Sequence, residues 1–188
     1  MPSYQHQLEV WNKFYNWCRP HIPRNEASVA LDIGCDTFGF AKSMEHDFKH
    51  IHCFDFRHRE QFLAGSVKDL SKFTYHNVGL GEKEDIRFTK PGVGRIKERG
   101  SLQIKIQTLD SFNFDNVAFI KIDTEGYEKK ILMGGEQTLK RNKPTVVIEQ
   151  NRGDFEAQKL LESWNFKCVG IWEVRGKPHD YIFISDAV

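Results

Sequence analysis

Phe119-Ile120-Lys121-Ile122-Asp123-Thr124-Glu125-Gly126-Tyr127-Glu128 decides the fold. An apolar run, Val117 to Ile122, ends abruptly in Asp123 and Glu125. Gly126 then releases the backbone, and a helical pattern follows. This is the pattern of a buried parallel strand delivering two carboxylates to the carboxyl edge of a sheet, where open α/β folds bind their ligands. A second strand, Val29-Ala30-Leu31-Asp32-Ile33-Gly34, also ends in an acidic, glycine-containing turn. Two such strand ends predict one shared crevice.

The rest of the chain sets the frame. Its 188 residues predict a single domain over 1–188. A domain of this size buries roughly 70% of its unfolded surface, so no staple is required. With 27 basic and 26 acidic side chains, the net charge of +1 argues against a broad nucleic-acid face. Cys18, Cys35, Cys53 and Cys168 form no CxxC pair and read as reduced thiols of a cytoplasmic protein, with no metal site expected. Met1 to Gln7 is polar, without a leader pattern. No run approaches the roughly 20 apolar residues of a membrane span, so no membrane partner is expected.

Strands and helices alternate. Leu8, Trp11, Phe14, Tyr15 and Cys18 predict an amphipathic helix over 4–18, within an N-terminal helical segment 1–25 closed by Pro20 and Pro23. Strands are expected at Val29 to Ile33, Ile51 to Asp55 and Thr74 to Val78, with helices at Phe38 to Phe48 and within 59–72. Residues 86–90 and 102–108 read as an antiparallel pair, forming an inserted hairpin over 84–108 with a glycine-rich, basic loop. After Val117 to Asp123 come a helix from Tyr127 to Lys140, a strand from Thr145 to Glu149, and a helix from Phe155 to Trp164. A final hairpin, Phe166 to Val174 and Tyr181 to Ser185, turns around Gly176-Lys177-Pro178. The alternation predicts a mostly parallel seven-stranded sheet with helices on both faces and an antiparallel C-terminal pair.

That closing pair resembles the class I methyltransferases, which use S-adenosylmethionine (AdoMet), rather than a plain dinucleotide-binding domain. The loop Asp32-Ile33-Gly34-Cys35-Asp36-Thr37-Phe38-Gly39 and Asp55, 23 residues beyond Asp32, agree. Glycines let backbone approach a ligand, and the second acid can accept bonds from ribose hydroxyls. The absence of GxGxxG counts against NAD. Thr108-Leu109-Asp110, the Lys121-Ile122-Asp123-Thr124-Glu125-Gly126-Tyr127-Glu128 stretch and the Pro144 to Glu149 strand resemble the FkbM methyltransferase family over about 28–150. The resemblance implies AdoMet-dependent O-methylation of sugars, polyketides or other metabolites, with S-adenosylhomocysteine (AdoHcy) as product. Cys35, Asp36 and Asp55-Phe56 depart from the usual family residues.

On this reading Asp32, Gly34, Cys35, Asp36, Gly39, Asp55, Phe56, Val78, Gly79 and Asp123 hold the cofactor. Asp123 is the first candidate for general base and Glu125 the second; either is alternatively a ligand of the cofactor's ammonium. Lys121 is an ammonium inside an apolar strand, costly if unpaired. It shares a face with Asp123. Pairing with Asp123 or Glu149 and orienting the acceptor are its two readings. Asp110 reads as a cap or turn residue. Glu149, Tyr15 and Arg95 are the candidate acceptor contacts, Arg95 in a basic loop, Lys90 to Gly100, that is either a solvated tip or a lid over an anionic group. The expected activity is methyl transfer to a hydroxyl of a small molecule or glycan. The alternatives are an AdoMet-binding or interaction module without catalysis and, third, an NAD-dependent oxidoreductase.

Overall fold

A computed structural model describes residues 4–91, 93–150 and 155–186; Met1 to Ser3 and the expected loop residue Gly92 lie outside them. The chain opens with helix α1 (Tyr4–Cys18) and forms strand β1 (Val29–Ile33), helix α2 (Gly39–Ser43), strand β2 (His50–Phe54), helix α3 (Glu60–Ser66) and strand β3 (Phe73–His76). Then come three short strands, β4 (Gly79–Leu80), β5 (Asp85–Thr89) and β6 (Leu102–Gln107). The second half holds β7 (Val117–Ile122), α4 (Glu128–Met133), α5 (Glu136–Asn142), β8 (Thr145–Glu149), α6 (Glu156–Ser163), β9 (Phe166–Val174) and β10 (Lys177–Ser185). The main sheet has seven strands in the order β3-β2-β1-β7-β8-β10-β9. The first five are parallel, and β10 and β9 run antiparallel, as the sequence predicts. The inserted hairpin, β5 with β6, takes up β4 as a third strand and makes a separate small sheet.

Strand alternation divides the core. Ala30, Phe119, Val147 and Ile182 face a layer containing Phe14, Cys18 and Phe40 of α1 and α2. Leu31, Ile120, Ile148 and Phe183 face the opposite layer, with Ile131, Leu139 and Leu161 of α4 to α6. Every residue of β7 is buried, which explains its continuous apolar reading. Asp32 and Lys121 are cross-strand partners in the parallel pair and both lie on the α1 side.

Several boundaries differ from expectation. The helix expected over Phe38 to Phe48 stops at Ser43, because tertiary bonds claim the next groups. The Glu45 carboxylate accepts from Lys68 and Asp69 backbone N–H groups, while Lys72 Nζ donates to the Glu45 and Phe48 carbonyls. The helix expected from Tyr127 to Lys140 breaks at Gly134-Gly135. A side chain at Gly134 would meet the Gly81 carbonyl oxygen at 1.9 Å. Asp110 then caps α5 from outside, accepting from Gln137 N and Thr138 N, which makes it a structural cap. The strand expected over Thr74 to Val78 ends at His76, and the chain crosses to the small sheet at Gly79. The last hairpin is tighter than expected: Arg175 and Gly176, at φ 54° and 71°, form a two-residue turn of the primed kind and free Lys177 and Pro178 for β10.

A histidine cluster covers part of the face opposite α1. His52 Nδ1 lies 3.0 Å from His76 Nε2, and His50 Nε2 lies 2.8 Å from Thr74 Oγ1. Phe114 packs on His52, and Phe54 stacks on His76. Burial pushes His52 down to about 3 and His76 to about 4. Both values lie below the ordinary 6.5. Their contribution is therefore fully present above pH 6.5 and is lost as pH falls towards 4 and then 3, because the unfolded chain takes up the protons first. The slope is roughly 1.4 kcal/mol per pH unit for each proton. Thermal midpoints should fall between pH 6.5 and about 5 in the wild type and fall less in His52→Phe. Equal slopes would clear the histidines of this role.

Candidate active site

The carboxyl ends of β1 and β7 are pressed together. Asp123 N donates to the Ile33 carbonyl at 2.9 Å. Gly34 sits at φ 86°, and a Cβ there would lie 1.8 Å from the Asp123 carbonyl oxygen. Only glycine allows this approach, which brings the first loop and the Asp123 turn to one cleft. Asp32 lies at its base, fully buried. Among the described residues, neither Asp32 carboxylate oxygen has a partner at full hydrogen-bond geometry, although the Ala41 backbone N–H is close enough to favour its charge. The nearest cation is Lys121 Nζ, 3.7 Å from Asp32 Oδ1. Burial raises Asp32 to about 6 against the pull of that ammonium.

Lys121 is the hub. Its Nζ lies 3.0 Å from Asp123 Oδ2 and over the rings of Trp11 and Phe40, at 5.4 and 5.3 Å. Burial disfavours its charge, but Asp123 and then Asp32 more than restore it, and its pKa is raised. Burial also opposes ionisation of Asp123; Lys121 and a hydrogen bond from Glu149 outweigh it, so Asp123 is held below the usual carboxylate range. Glu149 goes the other way. Burial, then its bond to Asp123, raises it to about 9, so it is protonated at neutral pH. Beside it, His179 Nε2 lies 3.3 Å from Glu149 Oε1, and Nδ1 lies 2.9 Å from Asp180 Oδ2.

The opposite rim is basic. Asp55, at the end of β2, accepts at Oδ1 from Arg57 N and Nε, and at Oδ2 from Arg57 Nη2 and Asp36 N. Arg57 and Arg59 each lie 3.1 Å from Asp36 Oδ1. The basic loop crosses to this rim: Gly94 and Ile96 form part of the cleft wall, and Arg95 pairs with Glu125 at 3.1 Å. Glu125 holds φ 59°, an unusual backbone for its type. Glu128 secures the turn, accepting at Oε1 from Thr124 N, Thr124 Oγ1 and Gly126 N.

The cleft encloses about 360 Å³, within the roughly 300–1,000 Å³ of small-molecule sites. It is lined by the first loop (Asp32, Gly34, Cys35, Asp36, Gly39), by Asp55 and Phe56, by Val78 and Gly79, and by Lys121, Asp123 and Glu125. The structure thus gathers the residues expected to hold a cofactor and the three expected at the reacting centre. Glu149 is one layer behind Asp123, and Arg95 points across the rim to Glu125, so neither is among the lining residues. Tyr15 is displaced from the expected acceptor site: it is buried under Phe40 and Phe119, and its hydroxyl donates to Asp47 at 2.6 Å. Trp11, one helical turn earlier, reaches the cleft instead. Its indole covers Gly39, where a Cβ would lie 2.6 Å away, so that glycine serves helix packing as well as the cleft. Sequence reading missed Arg57 and Tyr127 as wall residues. For Arg57 the signal was its position two residues after Asp55, which suits a local fork.

The sequence profile of the methyltransferase FkbM domain matches residues 57–168. No curated protein matches the chain. Among solved structures, an FkbM methyltransferase from Methylobacillus flagellatus KT superposes with a TM-score of 0.63 at 18% identity, covering 84% of this chain and 43% of that one. The chain therefore spans about two fifths of that protein's length. A precorrin 8w decarboxylase from Methanobacterium thermoautotrophicum gives 0.59 at 11%, over 100% of this chain and 92% of that one. A Streptococcus pneumoniae protein assigned as a tRNA (m1A22) methyltransferase, in complex with AdoMet, gives 0.56 at 17%, over 98% of this chain and 73% of that one. At such identities the likeness establishes the fold, that of the Rossmann-like class I methyltransferases.

Proposed function

The chain belongs to the FkbM methyltransferase family, and on that premise we propose that it transfers a methyl group from AdoMet to a hydroxyl of a sugar, glycan or other small metabolite. The observation that carries this reading is Asp32. A fully buried carboxylate with no well-formed hydrogen bond, lining a cleft, suits a cationic ligand. The ammonium of AdoMet or AdoHcy has the right charge. Bound AdoMet would supply an electrophilic methyl on a sulfonium. Gly34 and Gly79 keep backbone close to the cleft, and Phe56 and Val78 give it apolar wall. Asp123, ionised beside Lys121, takes the acceptor's proton; Glu125 is the alternative base. In-line transfer needs alignment above all, which can supply most of the acceleration.

Mass spectrometry of ligand released from the purified protein tests the cofactor, and turnover against a panel of hydroxylated metabolites tests the reaction. NAD, or no AdoHcy binding at all, would sink the reading. A binding module without catalysis is the second reading. It is favoured by Arg57, which takes up the Asp55 carboxylate that a ribose diol would need. AdoHcy binding with no turnover on the panel would select it.

The Asp32 carboxyl makes cofactor affinity pH-dependent. An ammonium ligand pairs with the ionised form, so below about 6 binding must also displace a proton. AdoHcy affinity should rise about fivefold from pH 5 to 6 and level off towards 7. Asp32→Asn should weaken binding and flatten the profile. A flat profile in the wild type would remove Asp32 from the ammonium site.

The basic loop supports an anionic acceptor. Replacing Arg95, Lys97 and Arg99 together by serine should raise the acceptor KM and leave AdoHcy affinity unchanged. High salt should act similarly, since exposed charges are screened. An acceptor KM indifferent to both would make the loop a solvated turn.

A further inference from the structure

A line of hydrogen-bonding side chains runs from the cleft to the surface. It starts at Asp123, which lines the cleft. Glu149, at the end of the adjacent strand, donates a hydrogen bond to Asp123. His179 of β10 stands behind it, its Nε2 3.3 Å from Glu149 Oε1. Asp180, the cross-strand neighbour of Glu149, fixes the far side of the ring at Nδ1, 2.9 Å away. His179 is about one-third exposed, whereas Glu149 is nearly enclosed. An apolar strand end has no need of four titratable groups in a row, and apart from Lys121 and Thr145 the strands β7 and β8 leading to it are apolar.

We propose that Glu149 and His179 form the exit path for the proton that methyl transfer releases at Asp123. The inference rests on the methyltransferase reading above. Methylating a hydroxyl with a sulfonium yields an ether, a thioether and one proton. Asp123 receives that proton as the acceptor O–H bond breaks and the O–CH3 bond forms. Protonation of Asp123 frees the Glu149 O–H from its hydrogen bond; that O–H turns to His179 Nε2 and gives up its proton there, and the Glu149 carboxylate then takes the proton from Asp123. Asp180 holds the other ring nitrogen as the N–H donor, so Nε2 carries the lone pair that accepts. The imidazolium then releases its proton to solvent, and the carboxyl pair returns to its starting state. One proton leaves per methyl transferred, and no other reactant is needed. Asp123 meets the acceptor; Glu149 and His179 act through it and are positioning residues.

The electrostatics suit the path. Glu149 faces Asp123 and Glu125 from the β7 end and Asp180 from β10, and these carboxylates, after burial, keep it protonated. His179 faces Asp180, whose hydrogen bond raises it, with Asp123 adding and burial and Lys121 opposing. Asp123 faces Lys121, Glu149 and His179. Asp32 on β1 and Cys18 on α1 complete the charged or titratable groups around Lys121.

Two measurements test the path. In the resting protein, infrared spectroscopy should show a protonated carboxyl at pH 7 that titrates near 9 and is absent in Glu149→Gln. In Asp123→Asn the same band should ionise at lower pH. No such band in the wild type overturns the proposal, and this arm needs no variant and no acceptor. With an acceptor from the panel, His179→Gln should lower kcat by about a hundredfold, the low end for a proton-transfer group. Added imidazole should restore it, with acceptor KM and AdoHcy affinity unchanged. An unchanged kcat, or a loss that imidazole does not restore, also overturns it. A protein that shows the band and binds AdoHcy yet methylates nothing counts against the methyltransferase reading, so the two failures are read apart.

Discussion

Lys121→Met should lower folding stability by about 3–5 kcal/mol, the cost of breaking a buried ion pair by removing one partner. Methionine fills the same channel between Trp11 and Phe40, so little of the loss would come from packing. The loss is electrostatic. Lys121 is 2% exposed, and its ammonium is the counter-charge for Asp123 at 3.0 Å and Asp32 at 3.7 Å. Without it, the buried Asp32 carboxyl and the partly exposed Asp123 carboxyl face each other and must protonate or admit water. Urea denaturation with an unchanged m-value is the measurement. The double variant Lys121→Met/Asp32→Asn should recover part of the loss, because one of the stranded charges is gone. A single-variant cost below about 1 kcal/mol, the range of exposed pairs, would mean that water already reaches this cluster.

Lys121 also shows how much of the site the sequence disclosed. A lysine inside an apolar run had to have a partner, and period-two alternation pointed to Asp123 correctly. Asp32 was not legible as its second partner. That contact depends on the register between β1 and β7, which pairs Asp32 with Lys121 across strands 89 positions apart in the chain. Local pattern cannot supply register between strands so distant. The strands themselves were legible, because buried parallel strands read as continuous apolar runs ended by acids and glycines. Helix ends were not: Glu45 and Asp110 act on distant backbone groups, and those bonds decide where α2 stops and α5 begins. Tyr15 and Trp11 share a helix face. Only the packing of α1 on α2 determined that Trp11 meets the cleft while Tyr15 is covered. Arg57 was hidden for another reason: a basic residue after an acidic one reads as solvated until the fork is seen.

Asp123→Asn should leave the fold and lower kcat by about 10²–10⁴, the contribution of a positioned general base. The amide keeps the shape of the carboxylate and removes its basicity. Its oxygen can still accept, while its NH2 puts a donor where the second carboxylate oxygen stood. AdoHcy binding should be roughly retained, since the ammonium is assigned to Asp32. A second effect separates this account from a general loss of structure. The Asp123 charge is one of the influences that raise Asp32, so its removal should move the break in the AdoHcy pH profile below about 6. Burial, the larger cause, is untouched, so the break should stay above the ordinary carboxylate range. The two readouts part the roles of the carboxylates. If AdoHcy binding collapses in Asp123→Asn, Asp123 is a cofactor ligand and Glu125, which shares its turn and the cleft wall, becomes the better base. If turnover and binding are both unchanged, the carboxylate serves only to neutralise Lys121, and the reacting centre lies elsewhere along the cleft.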